Sequence, residues 1–133
     1  GFMTTELLAA AILDMNLHNL TDTKGIDVVA YEKEAMDQLG LIPEIAPRYR
    51  TTYFNHIIGG YAAGYYSYLW TEVLAVNVAD YFAQHGALDP AVGQAFRTKI
   101  LSRGNTKDQL EMFTDFTGMK QPDASGLLKA RGL

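Results

Sequence analysis

The sequence predicts an all-α fold, a bundle of about five to six helices interrupted by one loop rich in glycine and tyrosine. Apolar residues recur at spacings of three and four along most of the chain, and glycine or Asp-Pro signals mark the ends of these segments. No two alternating apolar runs suggest a β-hairpin. The 133 residues suffice for one modest core, so we predict a single helical domain over residues 1–133.

Composition narrows the class of protein. Hydrophobic residues make up 48% of the chain and charged residues 20%, as in ordinary globular proteins. A net charge of −4 without a basic block argues against a nucleic-acid partner. The chain has no cysteine, which excludes disulfides and thiolate chemistry and fits a reducing compartment. With no membrane-length apolar stretch and no recognisable signal peptide, we expect a cytoplasmic location and no membrane partner.

Two helices are predicted in the first third of the chain. The first begins at an N-cap on Thr4 or Thr5 and ends near His18–Leu20. The second runs from about Asp27 to Leu39, and Gly40 stands where a C-terminal cap is expected. The apolar residues that define the first helix are Leu7, Leu8, Ala11, Ile12 and Met15, and those of the second are Val28, Ala35, Met36 and Leu39.

The middle of the chain is less regular. Two prolines make Leu41–Arg50 an extended connector. Tyr53–Ile58 suits a strand or a short helix, and the Gly59-Gly60 pair then breaks regularity. A long helix is predicted from Tyr61 or Ala62 to Gln84, with Gly86 ending it.

The last third again contains helix signals. Asp89 followed by Pro90 predicts a capped helix to about Ser102, with Val92, Phe96 and Ile100 facing inward. Thr106 and Gln109 suggest a capping box for a helix that carries Leu110, Phe113 and Phe116 and closes at Gly118. A short last helix is predicted near Pro122–Arg131, ending at Gly132.

One segment has the composition of a site. Residues 53–70 hold five of the eight tyrosines and the single tryptophan. If Tyr61 begins a helix, Tyr61, Tyr65 and Tyr68 fall within about 60° on one face. His56 lies just before the glycine pair. Neutral phenol and imidazole donors gathered at one point suit an oxyanion that forms when a peptide carbonyl is attacked.

The same spacing has a structural explanation. A tyrosine stripe on a helix more often packs in the core, because the ring buries a large area and the hydroxyl finds a neighbour. A lone histidine beside aromatic rings is likewise more often a packing residue. The residues alone leave both alternatives open.

The segment resembles a known family. The stretches Pro47-Arg48-Tyr49-Arg50, His56, Gly59-Gly60-Tyr61, Ala62-Ala63-Gly64-Tyr65-Tyr66 and Tyr68-Leu69-Trp70 are similar to the glycine/tyrosine loop of thimet-oligopeptidase-like zinc peptidases. Gly1–Glu6, Ile100–Gly104 and Ala130–Leu133 extend the likeness over the whole chain. The resemblance implies the C-terminal fifth or so of a larger helical zincin-type peptidase, of the oligopeptidase A and peptidyl-dipeptidase branches.

The resemblance also implies roles for individual residues. His56 and Tyr68 match the family's residues that stabilise the tetrahedral intermediate. Tyr61 and Tyr65 match residues that contact the substrate, and Gly59, Gly60 and Gly64 match its flexible loop glycines.

The family's zinc ligands have no counterpart here. Those ligands are a His-Glu-x-x-His helix and a later glutamate, and the motif's own glutamate is the general base. Neither His18, His56 nor His85 begins such a motif. Asp14 and His18, four residues apart, could share a metal, but a capping or exposed histidine is the commoner case. We expect zinc in the intact family enzyme and none on this chain.

Other chemistries fit less well. The glycines at 59–64 lack the Lys-Ser/Thr of a phosphate loop, and no serine stands in a nucleophile elbow. We expect a solvated helix face to carry the carboxylates of Glu32, Glu34 and Asp37.

Three functions stay open from the sequence. The first is the substrate-binding segment of a zinc-dependent peptidase of short peptides, inactive without the missing N-terminal part. The second is a non-catalytic truncated domain that forms a homo-oligomer through uncovered apolar surface. The third is a standalone peptide-binding module.

Overall fold

The computed structural model describes all 133 residues, as seven α-helices and no strand. This confirms the all-α prediction, with more helices than expected. The helices are α1 Phe2–His18, α2 Val28–Gln38, α3 Asn55–Ile58, α4 Ser67–His85, α5 Pro90–Phe96, α6 Gln109–Thr117 and α7 Ser125–Ala130. A 3₁₀ turn at Thr51–Tyr53 precedes α3, and a π turn at Arg97–Leu101 follows α5. No helix combines the length and the apolar character that crossing a membrane requires.

The chain folds as two compact units, Gly1–Leu69 and Trp70–Leu133. The prediction of one domain over residues 1–133 stays a prediction. Each unit has its own buried apolar side chains and its own set of aromatic contacts.

The core of the first unit forms on one side of α1. Leu7, Ala10 and Ala11 pack with Phe54, Ile57 and Tyr65 in one buried cluster. The small alanines let other segments approach the helix closely, which explains why Ala9 and Ala10 are buried while Leu8 and Met15 stay partly exposed. Full burial of a side chain such as Phe54 contributes about 2–3 kcal/mol.

Helix ends in this unit follow local chemistry. Asp27 caps α2, because its carboxylate accepts the amides of Val29 and Ala30 at 3.0 and 3.1 Å. Gly40 follows with φ +66°, a left-handed conformation that suits glycine. The N-cap of α1 is Gly1, so the prediction of Thr4 or Thr5 was wrong. The Thr5 hydroxyl donates to the Gly1 carbonyl at 3.1 Å instead of accepting an amide.

The second unit is built around phenylalanine. Phe116 on α6 contacts Phe96 and Phe82 at ring-centroid distances of 5.3 and 5.7 Å. Met112, Phe113 and Leu127 are also buried. Asp89 caps α5 as predicted, accepting the Ala91 amide at 2.7 Å. Glycines with positive φ end α4 and α6 as predicted, at Gly86 and Gly118.

One cap of the second unit was predicted wrongly. Asp108, not Thr106, caps α6 by accepting the amides of Leu110 and Glu111 at 2.9 and 3.0 Å. The Thr106 hydroxyl instead donates to the Arg103 carbonyl at 2.7 Å. A carboxylate one residue from the helix therefore displaces the expected capping box.

Helix α7 packs closely on α4. A Cβ atom on Gly126 would lie 3.0 Å from Asp80 Oδ2 and 3.1 Å from Val76 Cγ1, so glycine allows this approach. The Asn77 amide donates to the Asp123 carbonyl and accepts from the Asp123 amide, both at 2.8 Å.

Three helices are shorter than predicted. Helix α4 begins at Ser67 instead of Tyr61, and α7 covers only Ser125–Ala130. Helix α5 ends at Phe96 and the chain continues as the π turn to Leu101. For Tyr53–Ile58 the helical alternative is confirmed over Asn55–Ile58.

Candidate functional site

The glycine/tyrosine segment forms a loop between α3 and α4. Backbone bonds within it are short-range, such as Gly64 N–H to the Tyr61 carbonyl at 2.9 Å. Ala63 adopts φ +50°, the left-handed region that residues with a Cβ rarely enter. Such a residue costs about 1–2 kcal/mol, so the surrounding structure must hold it there.

Asp14 on α1 holds this loop. Its side chain is 0% exposed. One carboxylate oxygen accepts the Ala63 amide at 2.9 Å, and the other accepts the Tyr65 amide at 2.9 Å. These amides therefore bond to a carboxylate instead of to carbonyls one helical turn earlier. This explains why α4 begins only at Ser67.

His18 completes the Asp14 contacts. Its Nδ1 lies 2.9 Å from an Asp14 carboxylate oxygen and 2.9 Å from the Asp14 carbonyl. The pair suggested by the sequence as a candidate for a shared metal is thus a close contact within α1. The Asp14 oxygens are already occupied by two backbone amides and the imidazole.

A second buried carboxylate anchors the start of the same segment. Glu32 on α2 is 2% exposed, and it accepts the Thr51 amide at 2.7 Å and the Thr51 hydroxyl at 2.9 Å. It also pairs with the Arg50 guanidinium. The expectation that Glu32 lies on a solvated face was therefore wrong, whereas Glu34 and Asp37 are exposed as expected.

Between these two anchors, six aromatic rings meet. We name Tyr49, Phe54, His56, Tyr61, Tyr65 and Tyr68 the tyrosine–histidine cluster. The His56 ring centroid lies 5.2, 5.9 and 6.0 Å from those of Tyr65, Tyr61 and Tyr68. The structure thus brings the four predicted side chains together, although a turn and not a helix carries Tyr61 and Tyr65.

The three predicted tyrosines differ in burial. Tyr65 is 3% exposed and meets Phe54 edge to face at 4.8 Å. Burial raises the pKa of the Tyr65 phenol. Tyr61 and Tyr68 are 43% and 39% exposed, and their rings stack at 5.3 Å. One tyrosine therefore packs in the core while two face solvent.

Two polar features distinguish this cluster. A hydrogen bond with Tyr61 raises the pKa of the Tyr68 phenol, so Tyr68 keeps its proton at neutral pH. His56 Nδ1 is buried without a hydrogen-bond partner. A buried unpaired nitrogen costs stability, and such atoms are concentrated where a ligand or a functional constraint explains them.

Two of the predicted loop glycines, Gly59 and Gly60, are not crowded by their neighbours. A Cβ atom on Gly59 or Gly60 would meet nothing within 4 Å, and neither residue has a positive φ. On Gly64 it would approach the Tyr61 carbonyl oxygen at 3.4 Å. Neither crowding nor left-handed geometry therefore requires the glycine pair.

Sequence reasoning missed two residues of this region. Tyr49 lies 4.7 Å from His56 and stacks on Phe54 at 5.4 Å, but it had been assigned to the connector. Asp14 was weighed only as a metal ligand. Its signal was present, because a carboxylate that directly follows the apolar run Leu7–Leu13 on one helix has to be paired if that face is buried.

The described residues do not form a zinc site. No group of three or more histidine, cysteine, aspartate or glutamate side chains could hold a metal ion. The donor set that the resemblance implies for zinc therefore has no counterpart among these residues.

Comparisons with known proteins identify the family. The model of peptidase family M3 matches residues 1–133. The dipeptidyl carboxypeptidases of Salmonella typhimurium and Escherichia coli are each 43% identical over the whole chain, which spans 20% of their length. Oligopeptidase A of Haemophilus influenzae is 35% identical over 95% of the chain, which corresponds to 19% of that protein. These matches confirm the resemblance over the full sequence, and the chain belongs to peptidase family M3.

Proposed function

We propose that this chain forms the substrate-binding wall of a peptidase that hydrolyses short peptides. The observation that carries the proposal is the tyrosine–histidine cluster, in which His56, Tyr61 and Tyr68 gather beside an uncovered glycine pair. The names of the similar proteins favour oligopeptides as substrates, and the 43% identity to two dipeptidyl carboxypeptidases favours release of dipeptides from the C-terminus.

Tyr68 and His56 stabilise the reacting carbonyl in this proposal. Attack on a peptide carbonyl turns its oxygen into an oxyanion, which hydrogen-bond donors stabilise more than they stabilise the starting amide. The Tyr68 phenol is protonated at neutral pH, and on substrate binding its O–H turns from Tyr61 to the oxyanion. A neutral imidazole has one donating and one accepting nitrogen, so His56 can donate to the oxyanion from the nitrogen that carries the proton.

Tyr61 and Tyr65 act differently from each other. Tyr61 is exposed, stacks on Tyr68 and shares a hydrogen bond with it, so it directs the Tyr68 hydroxyl and contacts the peptide. The Tyr65 ring lies beneath, edge-on to His56 and tilted against Tyr68 at 5.2 and 5.1 Å. Tyr65 therefore supports the rings that touch the substrate.

The resemblance implies zinc for the intact family enzyme, and the residues of this chain do not fit it. We assign no zinc ligand and no general base here. Chain residues alone can hold a peptide and its oxyanion, so we expect binding without turnover.

The test combines three measurements on the purified chain. We expect no stoichiometric zinc, no cleavage of a fluorogenic peptide, and micromolar binding of a phosphinic peptide, whose tetrahedral anion mimics the oxyanion. The double substitution His56→Ala with Tyr68→Phe should abolish that binding. Zinc together with cleavage would show that the chain is catalytically complete, and failure of the unaltered chain to bind would refute the binding role.

Self-association is the second candidate function. Leu88 is 97% exposed and Ile58 is 81% exposed, which is unusual for large apolar side chains. Such surface suits either a second copy or the remaining part of a peptidase. Light scattering that shows a tight dimer, with no peptide binding, would favour this function over the first.

A further inference from the structure

We propose that Asp14 is a positioning residue, whose buried carboxylate holds the backbone of Ala63 and Tyr65 and so sets the tyrosine rings against His56. Its effect on peptide binding rests on the proposed function. Its effect on the shape of the loop does not, and the two are tested separately.

The first argument is the complete use of the carboxylate. Asp14 is fully buried, and its two oxygens accept two different amides, each at 2.9 Å. A buried carboxylate is tolerated where such bonds satisfy it. The amides belong to residues 49 and 51 positions further along the chain, so these bonds fix tertiary structure and not a local cap.

The second argument is what the loop would do without Asp14. Ala63 has a left-handed backbone conformation, and its own amide and the Tyr65 amide both donate to the Asp14 carboxylate. With that acceptor removed, the Tyr65 amide can rejoin the helical ladder, and α4 can extend backwards from Ser67. Tyr61 would then leave its stacked position on Tyr68, where the ring centroids are 5.3 Å apart.

The third argument is the location of the anchored residues. Tyr65 is the core-packed ring under His56 and Tyr68, and Ala63 lies midway between Tyr61 and Tyr65. His18, at 2.9 Å, holds the Asp14 carboxylate from its own helix. Asp14 therefore acts on the exposed hydroxyls through the backbone, without reaching the solvent-facing side of the cluster.

Amide hydrogen exchange tests the anchoring. We expect Asp14→Asn, which keeps one acceptor oxygen and loses the other, to speed exchange at Ala63 and Tyr65 by about tenfold or more. The Leu13 amide in α1 should change less than about twofold. Asp14→Ala should speed exchange at these two amides further. If the Asp14→Ala variant does not fold, Asp14→Asn still tests the anchoring.

Two controls separate anchoring from general destabilisation. Glu32→Gln alters another buried carboxylate with several bonds in the same unit, and Asp37→Asn alters an exposed one paired with Lys33 at 2.5 Å. Neither should speed exchange at Ala63 and Tyr65 relative to Leu13. Equal acceleration in Glu32→Gln and Asp14→Asn would overturn the proposal.

A spectroscopic signature then follows the tyrosines. In chains with ¹³C-labelled tyrosine rings, the Tyr68 phenol should titrate at a lower pH in Asp14→Asn than in the unaltered chain, because its bond to Tyr61 is lost. An unchanged Tyr68 titration would refute the positioning role.

Binding of the phosphinic peptide gives the last readout. Affinity should fall about tenfold in Asp14→Asn and stay within about twofold in Asp37→Asn. If the unaltered chain does not bind, the proposed function fails while exchange and titration still decide the role of Asp14.

Discussion

Two aromatic clusters of this chain contain similar residues and differ in what they leave unsatisfied. The tyrosine–histidine cluster has four phenol rings, and its histidine has a buried nitrogen without a partner. The second, which we name the phenylalanine cluster, consists of Tyr81, Phe82, Phe96 and Phe116, with His85 stacked on Tyr81 at 4.0 Å. There the His85 Nδ1 lies 2.9 Å from the Tyr81 carbonyl, one turn earlier on the same helix.

The difference lies in how fully the polar atoms of each cluster are paired. In the phenylalanine cluster the histidine nitrogen has a carbonyl partner and the rings pack on one another, so substitutions there should change stability. In the tyrosine–histidine cluster, polar atoms are held close to one another and one is left unpaired, at a cost in stability that a ligand can recover. Substitutions in the two clusters should therefore separate loss of folding from loss of binding.

The largest effect is expected in the phenylalanine cluster. Phe116→Ala should lower the free energy of unfolding by about 3–5 kcal/mol, because it removes a buried ring that contacts three others. Urea denaturation measures this change. Leu110→Ala, on the exposed side of the same helix, should cost less than about 1 kcal/mol. Equal losses in both variants would mean that the cluster is not the core of its unit.

The next effect concerns binding. Tyr68→Phe should weaken binding of the phosphinic peptide about tenfold, because one charge-assisted hydrogen bond is lost. The thermal unfolding midpoint should hardly move, since the ring remains. Tyr66→Phe, an exposed neighbour outside the cluster, serves as the control in calorimetric titration. If affinity fell equally in both variants, Tyr68 would not be part of the binding site.

A smaller effect of opposite sign is expected at His56. His56→Phe should raise the free energy of unfolding by about 1 kcal/mol, because the unpaired buried nitrogen disappears while an aromatic ring remains. Peptide binding should weaken at the same time. His85→Phe should change neither quantity appreciably. Denaturation and calorimetry check both variants, and a destabilised His56→Phe would show that its nitrogen has a partner in solution.

The smallest effect appears only at alkaline pH. The pKa of Tyr65 is raised by burial, so the native state retains this proton where the unfolded chain, with an ordinary pKa near 10, loses it. The associated stability is fully present below pH 10 and is lost as the pH rises through the native pKa. The free energy of unfolding should thus fall more from pH 8 to pH 11 in the unaltered chain than in Tyr65→Phe. Parallel curves would contradict the burial of this phenol.

Helix ends could be predicted from the sequence where their chemistry is local. Asp89 and Gly118 act within a few residues of the helix that they begin or end, and both were predicted correctly. The prediction of Thr106 as a cap was wrong, because Asp108 lies nearer to the first amides of α6. Competition between two neighbouring caps is settled by geometry that residue types alone do not fix.

The proximity of the four candidate side chains could be predicted from the sequence, whereas the contacts that hold them together could not. Tyr61, Tyr65 and Tyr68 meet His56 as expected, but the helical spacing that suggested it does not exist at residues 61–66. The reason lies in Asp14, whose amide partners are 49 and 51 positions away in the sequence. From the sequence alone, a carboxylate that will be buried cannot be distinguished from one that will be exposed, because the amides that bind it come from a distant segment.

The long sequence separation between Asp14 and its partners also predicts the order in which parts of the first unit fold. Helix α1 can form from neighbouring residues, but closing the chain between Asp14 and Tyr65 requires a large loss of chain entropy before the two bonds are gained. During refolding, the amides of Ala63 and Tyr65 should therefore become protected after those of α1. The face formed by the tyrosine–histidine cluster should therefore take its final shape late in folding, after the helix that carries Asp14.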